Sequence, residues 1–250
     1  MQDSFVDLRV DTGIATITFF TPDHNALPTA ILDKLEQTII STGEDDEVKV
    51  IILKSGGDRT FCAGASFKEL IAITSEEEGK SFFMGFAKVI LAMRSCRKLI
   101  IGRVQGKSVG GGVGLAAATD YCYATKYASI KLSEISIGIG PFVIGPAVTR
   151  KVGVSAFSQM TINAKSFYDA QWAKEKGLYA EVCEDVESMD NAILNLANNL
   201  ASFNPEALKA SKKMFWENTE DWPQLLEQRA QTSGELVLSE FTKKTLRGYN

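Results

Sequence analysis

An α/β fold is the class this sequence predicts, and three observations predict it. Short β-rich runs alternate with amphipathic helical segments as far as Gly145, helical patterns alone follow, and no Pro/Gly/Ser-rich linker or low-complexity tract interrupts the 250 residues. The runs 5–10 and 14–20 flank Asp11-Thr12-Gly13 and read as a hairpin. Pro28 opens a helix whose Ile31, Leu35 and Ile39 recur at i+4 and which ends near Gly43. A short apolar strand spans 48–53, with Ser55-Gly56-Gly57-Asp58 as its turn. The same order returns as a helix over 76–93, a strand over 99–104, a Gly-rich turn, a helix through Ala118 and a strand over 121–124. Helices are then expected over 146–151, 155–162, 168–175, 189–202, 205–216 and through 225–246.

Composition narrows the class. The chain is 45% hydrophobic and 23% charged, an ordinary globular balance with enough length for one sizeable core. Its net charge of −4 argues against a nucleic-acid surface, which needs clustered excess Lys and Arg. Cys62, Cys96, Cys122 and Cys183 form no CxxC pair and His24 is the lone histidine, so a Cys/His zinc site or a histidine-based triad is not expected. No apolar signal region follows the N-terminus and no run reaches the length of a membrane span. A reducing cytoplasm fits, with the four thiols as packing groups.

Two stretches of small residues carry the chemistry: Phe61-Cys62-Ala63-Gly64-Ala65 and Val109-Gly110-Gly111-Gly112-Val113-Gly114. What they offer a ligand is peptide N–H, and a pair of N–H groups converging on one oxygen stabilises the enolate or oxyanion of a reacting thioester. The second stretch feeds Leu115-Ala116-Ala117-Ala118, a helix start with free amides and partial positive charge; the same glycines would also serve simple close packing. Gly102 to Ser108 mimics a phosphate-binding loop, but three residues instead of four separate its glycines, so Lys107 and Ser108 are read as loop residues beside the glycine cluster. Phe82, Phe83 and Phe86 form a helix stripe that would wall an acyl site or simply fill core.

Asn25-Ala26-Leu27, Phe61 to Leu70, Gly110 to Leu115 and Leu132-Ser133-Glu134-Ile135-Ser136-Ile137-Gly138 come in an order and spacing that resembles the crotonase superfamily, the enoyl-CoA hydratases and isomerases. Asp120-Tyr121 and Gly177 to Val182 are similar to further landmarks, so the resemblance spans essentially the whole chain. It implies a crotonase-like spiral of strand-strand-helix units over 1–195 and a helical C-terminal region over 196–250 used for trimerisation, as a homotrimer or a dimer of trimers. The ligand it implies is acyl-CoA, with coenzyme A as part of the substrate, no separate cofactor, no metal, and neither nucleic acid nor membrane as partner. By motif, the oxyanion hole is the N–H of Ala65 and of Gly111. Backbone of Ala63, Ala65 and Phe67 would border the adenine end of CoA, Ala26 the pantetheine, and Lys68 a phosphate, unless Lys68 only solvates a helix face.

One departure stands out. Hydratases with two carboxylates hold one glutamate just after the glycine cluster; this chain has Gly114 there, and Glu134 fills the second position. Glu134 would act as base and then acid in adding water to a 2-enoyl thioester, its pKa raised by a pocket of Ile135, Phe142 and Phe67. Hydration is the first expectation and 3-enoyl to 2-enoyl isomerisation, which needs only one base, the second. A non-catalytic acyl-CoA-binding scaffold is a third. Phe142 occupies the place of an extra Asp in dienoyl isomerases and a dehalogenase, which argues against both.

Overall fold

Strict alternation over 14–20 buries Ala15, Ile17 and Phe19 completely, so this strand must lie inside a sheet. In the computed structural model, which describes residues 3–248, it is β2 (Ile14–Phe20), paired antiparallel with β1 (Phe5–Asp11) through a tight turn at Thr12 and Gly13. Next to it lie β4 (Val50–Ser55), β7 (Leu99–Val104), β9 (Tyr121–Thr125) and β12 (Glu181–Cys183), each parallel to its neighbour, completing the order β1-β2-β4-β7-β9-β12. A smaller sheet has the order β11 (Tyr168–Asp169), β10 (Ser129–Lys131), β8 (Lys107–Val109), β5 (Thr60–Cys62). A third pairs β3 (Ala26–Leu27) with β6 (Gly64–Ala65).

The chain lays one strand in the large sheet, the next in a small one, and then a helix. β4 and β5 lead to α2 (Phe67–Ala72) and α3 (Glu76–Ser95), β7 and β8 to α4 (Gly111–Ala118), and β9 and β10 to α5 (Gly145–Ile162). With α1 (Thr29–Glu44) packed on α3, these turns form the strand-strand-helix spiral. Ser66 and Ser75 start α2 and α3 by accepting the amides of Glu69 and Glu78. The remaining helices are α6 (Ala170–Glu175), α7 (Val186–Ser202), α8 (Pro205–Phe215), α9 (Trp222–Val237) and α10 (Glu240–Arg247). α9 lies along α3 so closely that a Cβ on Gly79 would stand 2.7 Å from Gly234 Cα.

Several expected boundaries move for local reasons. Lys107 and Ser108 are not loop residues: they form β8, held between β5 and β10. The segments 146–151 and 155–162 are two arms of α5, broken at Gly153, whose φ of 75° no helix accommodates. Tyr168 and Asp169 pair with β10, so α6 starts at Ala170, with Asp169 accepting the Trp172 amide at 2.8 Å. The run 225–246 divides where Ser239 caps α10. Trp222, Leu226 and Ala230 of α9 belong to the same core as the spiral strands.

The helical region is anchored by a buried ion pair. Lys212 of α8 reaches Asp120 at 2.9 Å, with 3% and 5% of the two side chains exposed, and also donates to the Lys98 carbonyl at 2.7 Å. Asp120 further accepts from Trp216 Nε1 and from the Ile100 amide. Removing one partner strands the other charge, so Lys212→Ala is expected to lower unfolding free energy by about 3–5 kcal/mol; a urea midpoint equal to that of the unaltered chain would show the pair to be idle.

Candidate active site

The sequence Asn25-Ala26-Leu27 works through its first residue. Asn25 sits in left-handed backbone, φ 57°, which Asn tolerates, and its Nδ2 donates to the carbonyls of Gly56 and Thr60 at 2.9 and 2.8 Å while Oδ1 accepts from the Thr21 amide. That buried amide fixes β3 beside the end of β5, and β3 then pairs with β6, Leu27 opposite Ala65. The Ser66 amide donates to the Leu27 carbonyl at 3.0 Å. Since successive amides of a strand face opposite edges, the neighbouring N–H of Ala65 points away from β3, towards the cavity that Ala65 lines.

The second amide comes from a sharp turn between β8 and α4. Gly110 takes φ 52° and ψ −115°, a conformation only glycine holds without strain, while its own amide donates to the Lys131 carbonyl at 2.9 Å. Gly111 is therefore the first residue of α4, where N–H groups have no partner within the helix and the helix dipole is positive. Its nitrogen lies 3.7 Å from where a Cβ on Gly64 would stand, which brings the Gly111 amide beside the strand carrying Ala65. A Cβ on Gly111 itself would run into the Phe86 ring, so any side chain there must displace that ring.

Glu134 begins a 3-10 turn, Glu134–Ile137, closed by Gly138 in left-handed conformation and by the Ile139 amide donating to the Glu134 carbonyl at 3.2 Å. This turn lays the carboxylate over Gly110: a Cβ there would be 2.9 Å from Glu134 Oε1. Oε2 is out of contact with solvent and has no hydrogen-bond partner. Burial pushes the Glu134 pKa from 4.5 up to about 7, only partly offset by its own amide and that of Ser133. A carboxyl so placed exchanges a proton near neutrality.

These parts face one cavity of about 470 Å³. Ala63, Ala65, Phe67, Gly111, Glu134 and Phe142 all line it, and so do Phe82, Phe83 and Phe86, which therefore wall a ligand space as well as filling core. Ala26 does not reach the wall; its role is the ladder that orients β6. Lys68 is exposed and off the cavity. Ile135 also turns outward, 42% exposed, because the 3-10 turn points its neighbour Glu134 inward, so the apolar surroundings come from Phe67, Phe142 and the α3 phenylalanines.

Sequence reading missed Lys131, Ile144 and Ser233, all on the wall. Lys131 and Lys107 lie 5.2 and 5.4 Å from the centre of the half-exposed Phe167 ring, a contact between segments that no spacing reveals. Ile144 fills the space beside Gly114, where a Cβ would stand 2.5 Å from Ile144 Cγ2. Burial pushes the Cys62 and Cys122 thiols up to about 12, which makes both poor nucleophiles. Among the described residues no group of three or more His, Cys, Asp or Glu is arranged to hold a metal ion, and no helix is long and apolar enough to cross a membrane.

Comparison with known proteins identifies the family. Residues 9–249 match the family model described as enoyl-CoA hydratase/isomerase. The short-chain-enoyl-CoA hydratase of Clostridium acetobutylicum is 30% identical over 215 residues, covering 85% of this chain and 81% of that protein. The peroxisomal Delta(3,5)-Delta(2,4)-dienoyl-CoA isomerase of Arabidopsis thaliana is 25% identical, covering 85% and 80%. Among solved structures, an enoyl-CoA hydratase from Bacillus halodurans superposes with a TM-score of 0.91 at 21% identity over 98% of this chain and all of the other, a likeness of fold. The matched length, the spiral and the paired amides together place the chain in the enoyl-CoA hydratase/isomerase family, the crotonase superfamily.

Proposed function

We propose that this chain is an enoyl-CoA isomerase that moves a double bond from C3 to C2 of an acyl-CoA with Glu134 as its single base. The observation that carries this reading is that, among the described residues, Glu134 is the one carboxylate on the cavity wall, while the other carboxylate position of the paired-glutamate hydratases is Gly114, shut off by Ile144. Ionised Glu134 would take a proton from C2, and the electron pair would pass into the thioester carbonyl. The resulting dienolate oxygen would be met by the amides of Ala65 and Gly111. Protonated Glu134 would then deliver the proton to C4, leaving the double bond between C2 and C3. Nothing else need be supplied, so coenzyme A enters only as part of the substrate.

Hydration, the first expectation from sequence, stands as the second reading. It is favoured by the name and 30% identity of the Clostridium relative, and Glu134 alone would serve as base and then acid. For the CoA phosphates, Lys131 on the wall and Lys107 beside it suit better than Lys68. Exposed Val154, Ile162, Met214 and Phe241 offer apolar surface for the trimer or dimer of trimers proposed with this reading.

With purified protein, 3-hexenoyl-CoA should gain conjugated-enoyl absorbance, whereas crotonyl-CoA should keep its own; loss of the crotonyl signal without the first gain would make the enzyme a hydratase, and silence with both would leave a binding scaffold. Since the base must be ionised, kcat/KM should fall tenfold per unit as pH drops below about 7. A rate indifferent to pH between 5 and 8 (a span of about 3 units) would remove Glu134 from the chemistry.

Stability gives an independent check. A carboxyl whose folded pKa lies above its unfolded value binds more protons folded than unfolded between 4.5 and about 7, so stability falls as pH rises through that window. Glu134→Gln should therefore raise the unfolding free energy above pH 7 by up to about 3 kcal/mol, with the gain gone below pH 4.5. A gain equal at both ends of the window would mean that burial of the charge is not its source.

A further inference from the structure

The buried face of α9 reads Trp222, Leu226, Ala230, Ser233, Gly234 and Val237, an apolar stripe with one hydroxyl in it. Ser233 is 1% exposed, lies on the cavity wall, and its Oγ makes no hydrogen bond within the chain. A helical serine ordinarily satisfies itself on the carbonyl one turn back, as Thr232 does on Gln228 at 3.2 Å. Ser233 does not. A buried hydroxyl left unpaired costs about 1–3 kcal/mol, so its natural partner is a polar atom brought in by whatever fills the cavity.

Helix α3 places this hydroxyl relative to the reacting carbon. Phe86 packs where a Cβ of Gly111 would be, which marks the level of the thioester oxygen. Gly79, two helical turns earlier, meets Gly234, the residue after Ser233. Ser233 thus stands about 10 Å along α3 from the oxyanion amides, on the wall of the same cavity. Among the described residues Lys131, held at Phe167, is the one cation on the wall, so an anionic tail would be buried without a counter-charge.

Accordingly, we infer that Ser233 is a specificity residue: the enzyme takes acyl-CoA thioesters bearing a neutral oxygen, a hydroxyl or keto group, on the outer part of the chain. This deepens the acyl-CoA reading and rests on it. Binding of saturated thioesters tests it, because they are not turned over whichever reaction the enzyme runs. By titration calorimetry, 5- or 6-hydroxyhexanoyl-CoA should bind about tenfold more tightly than hexanoyl-CoA, and Ser233→Ala should bring the ratio close to one. Equal affinities on the unaltered protein, a ratio that survives Ser233→Ala, or tighter binding of adipyl-CoA than of the hydroxylated pair would overturn the assignment while leaving the acyl-CoA site intact. Failure of every thioester to bind would overturn both.

Discussion

Everything at this site depends on how closely the chain brings β6 to the end of β8. A Cβ on Gly64 would stand 3.2 Å from the Val109 carbonyl and 3.7 Å from the Gly111 nitrogen, so the two backbone segments share one small volume. That closeness turns a strand amide and a helix-start amide towards the same space. Neither donor is used by secondary structure, one because β6 pairs on its other edge and the other because α4 begins there. Leaving amides unpaired at a partly buried position costs stability, and a ligand oxygen recovers that cost.

The same volume contains the opposite imperfection. Glu134 Oε2 is an acceptor without a donor, and the aromatic wall that walls off water keeps its pKa near 7. Two donors without an acceptor and one base without a proton suit the proposed chemistry, in which a thioester oxygen gains negative charge while a proton moves at a nearby carbon. In a low-dielectric cavity these fixed groups act more strongly than in water, because no solvent has to reorganise as charge moves to the oxygen. The buried Asp120–Lys212 pair serves this arrangement at a distance by pinning α8 to the strands, and with it the helices that end in the α9 wall.

Long elements were legible because periodicity is an average over many residues. The strands of the large sheet and helices α1, α3 and α7 show their period plainly, whereas β3, β6 and β11 have two residues each and exist through partners distant in sequence. The site divides the same way. Ala65 and Gly111 stand in small-residue stretches read directly from the chain, Glu134 in a stretch marked only by the family resemblance, and all three line the cavity. Ile135 was misplaced because a 3-10 turn alternates its side chains differently from a strand. Ser233 was invisible because one serine in an amphipathic helix has no signature of its own; its meaning arises only from the cavity it faces.

Gly114 and Ile144 show why the missing carboxylate shapes the chemistry. The position is not an open slot in which a water or another acid takes over: Ile144 and, 3.6 Å away, Ile90 occupy the space a side chain would need. A water molecule attacking C3 needs its hydrogens aimed as well as a proton removed, and with one carboxylate only one of its two O–H bonds has a strong acceptor. A proton moving between C2 and C4 needs no such second anchor, since both carbons belong to the bound substrate and are positioned by the amides that hold the thioester. Closing the slot with isoleucine therefore leaves Glu134 without a neighbouring carboxylate, which is the feature that the single-base reading is argued from.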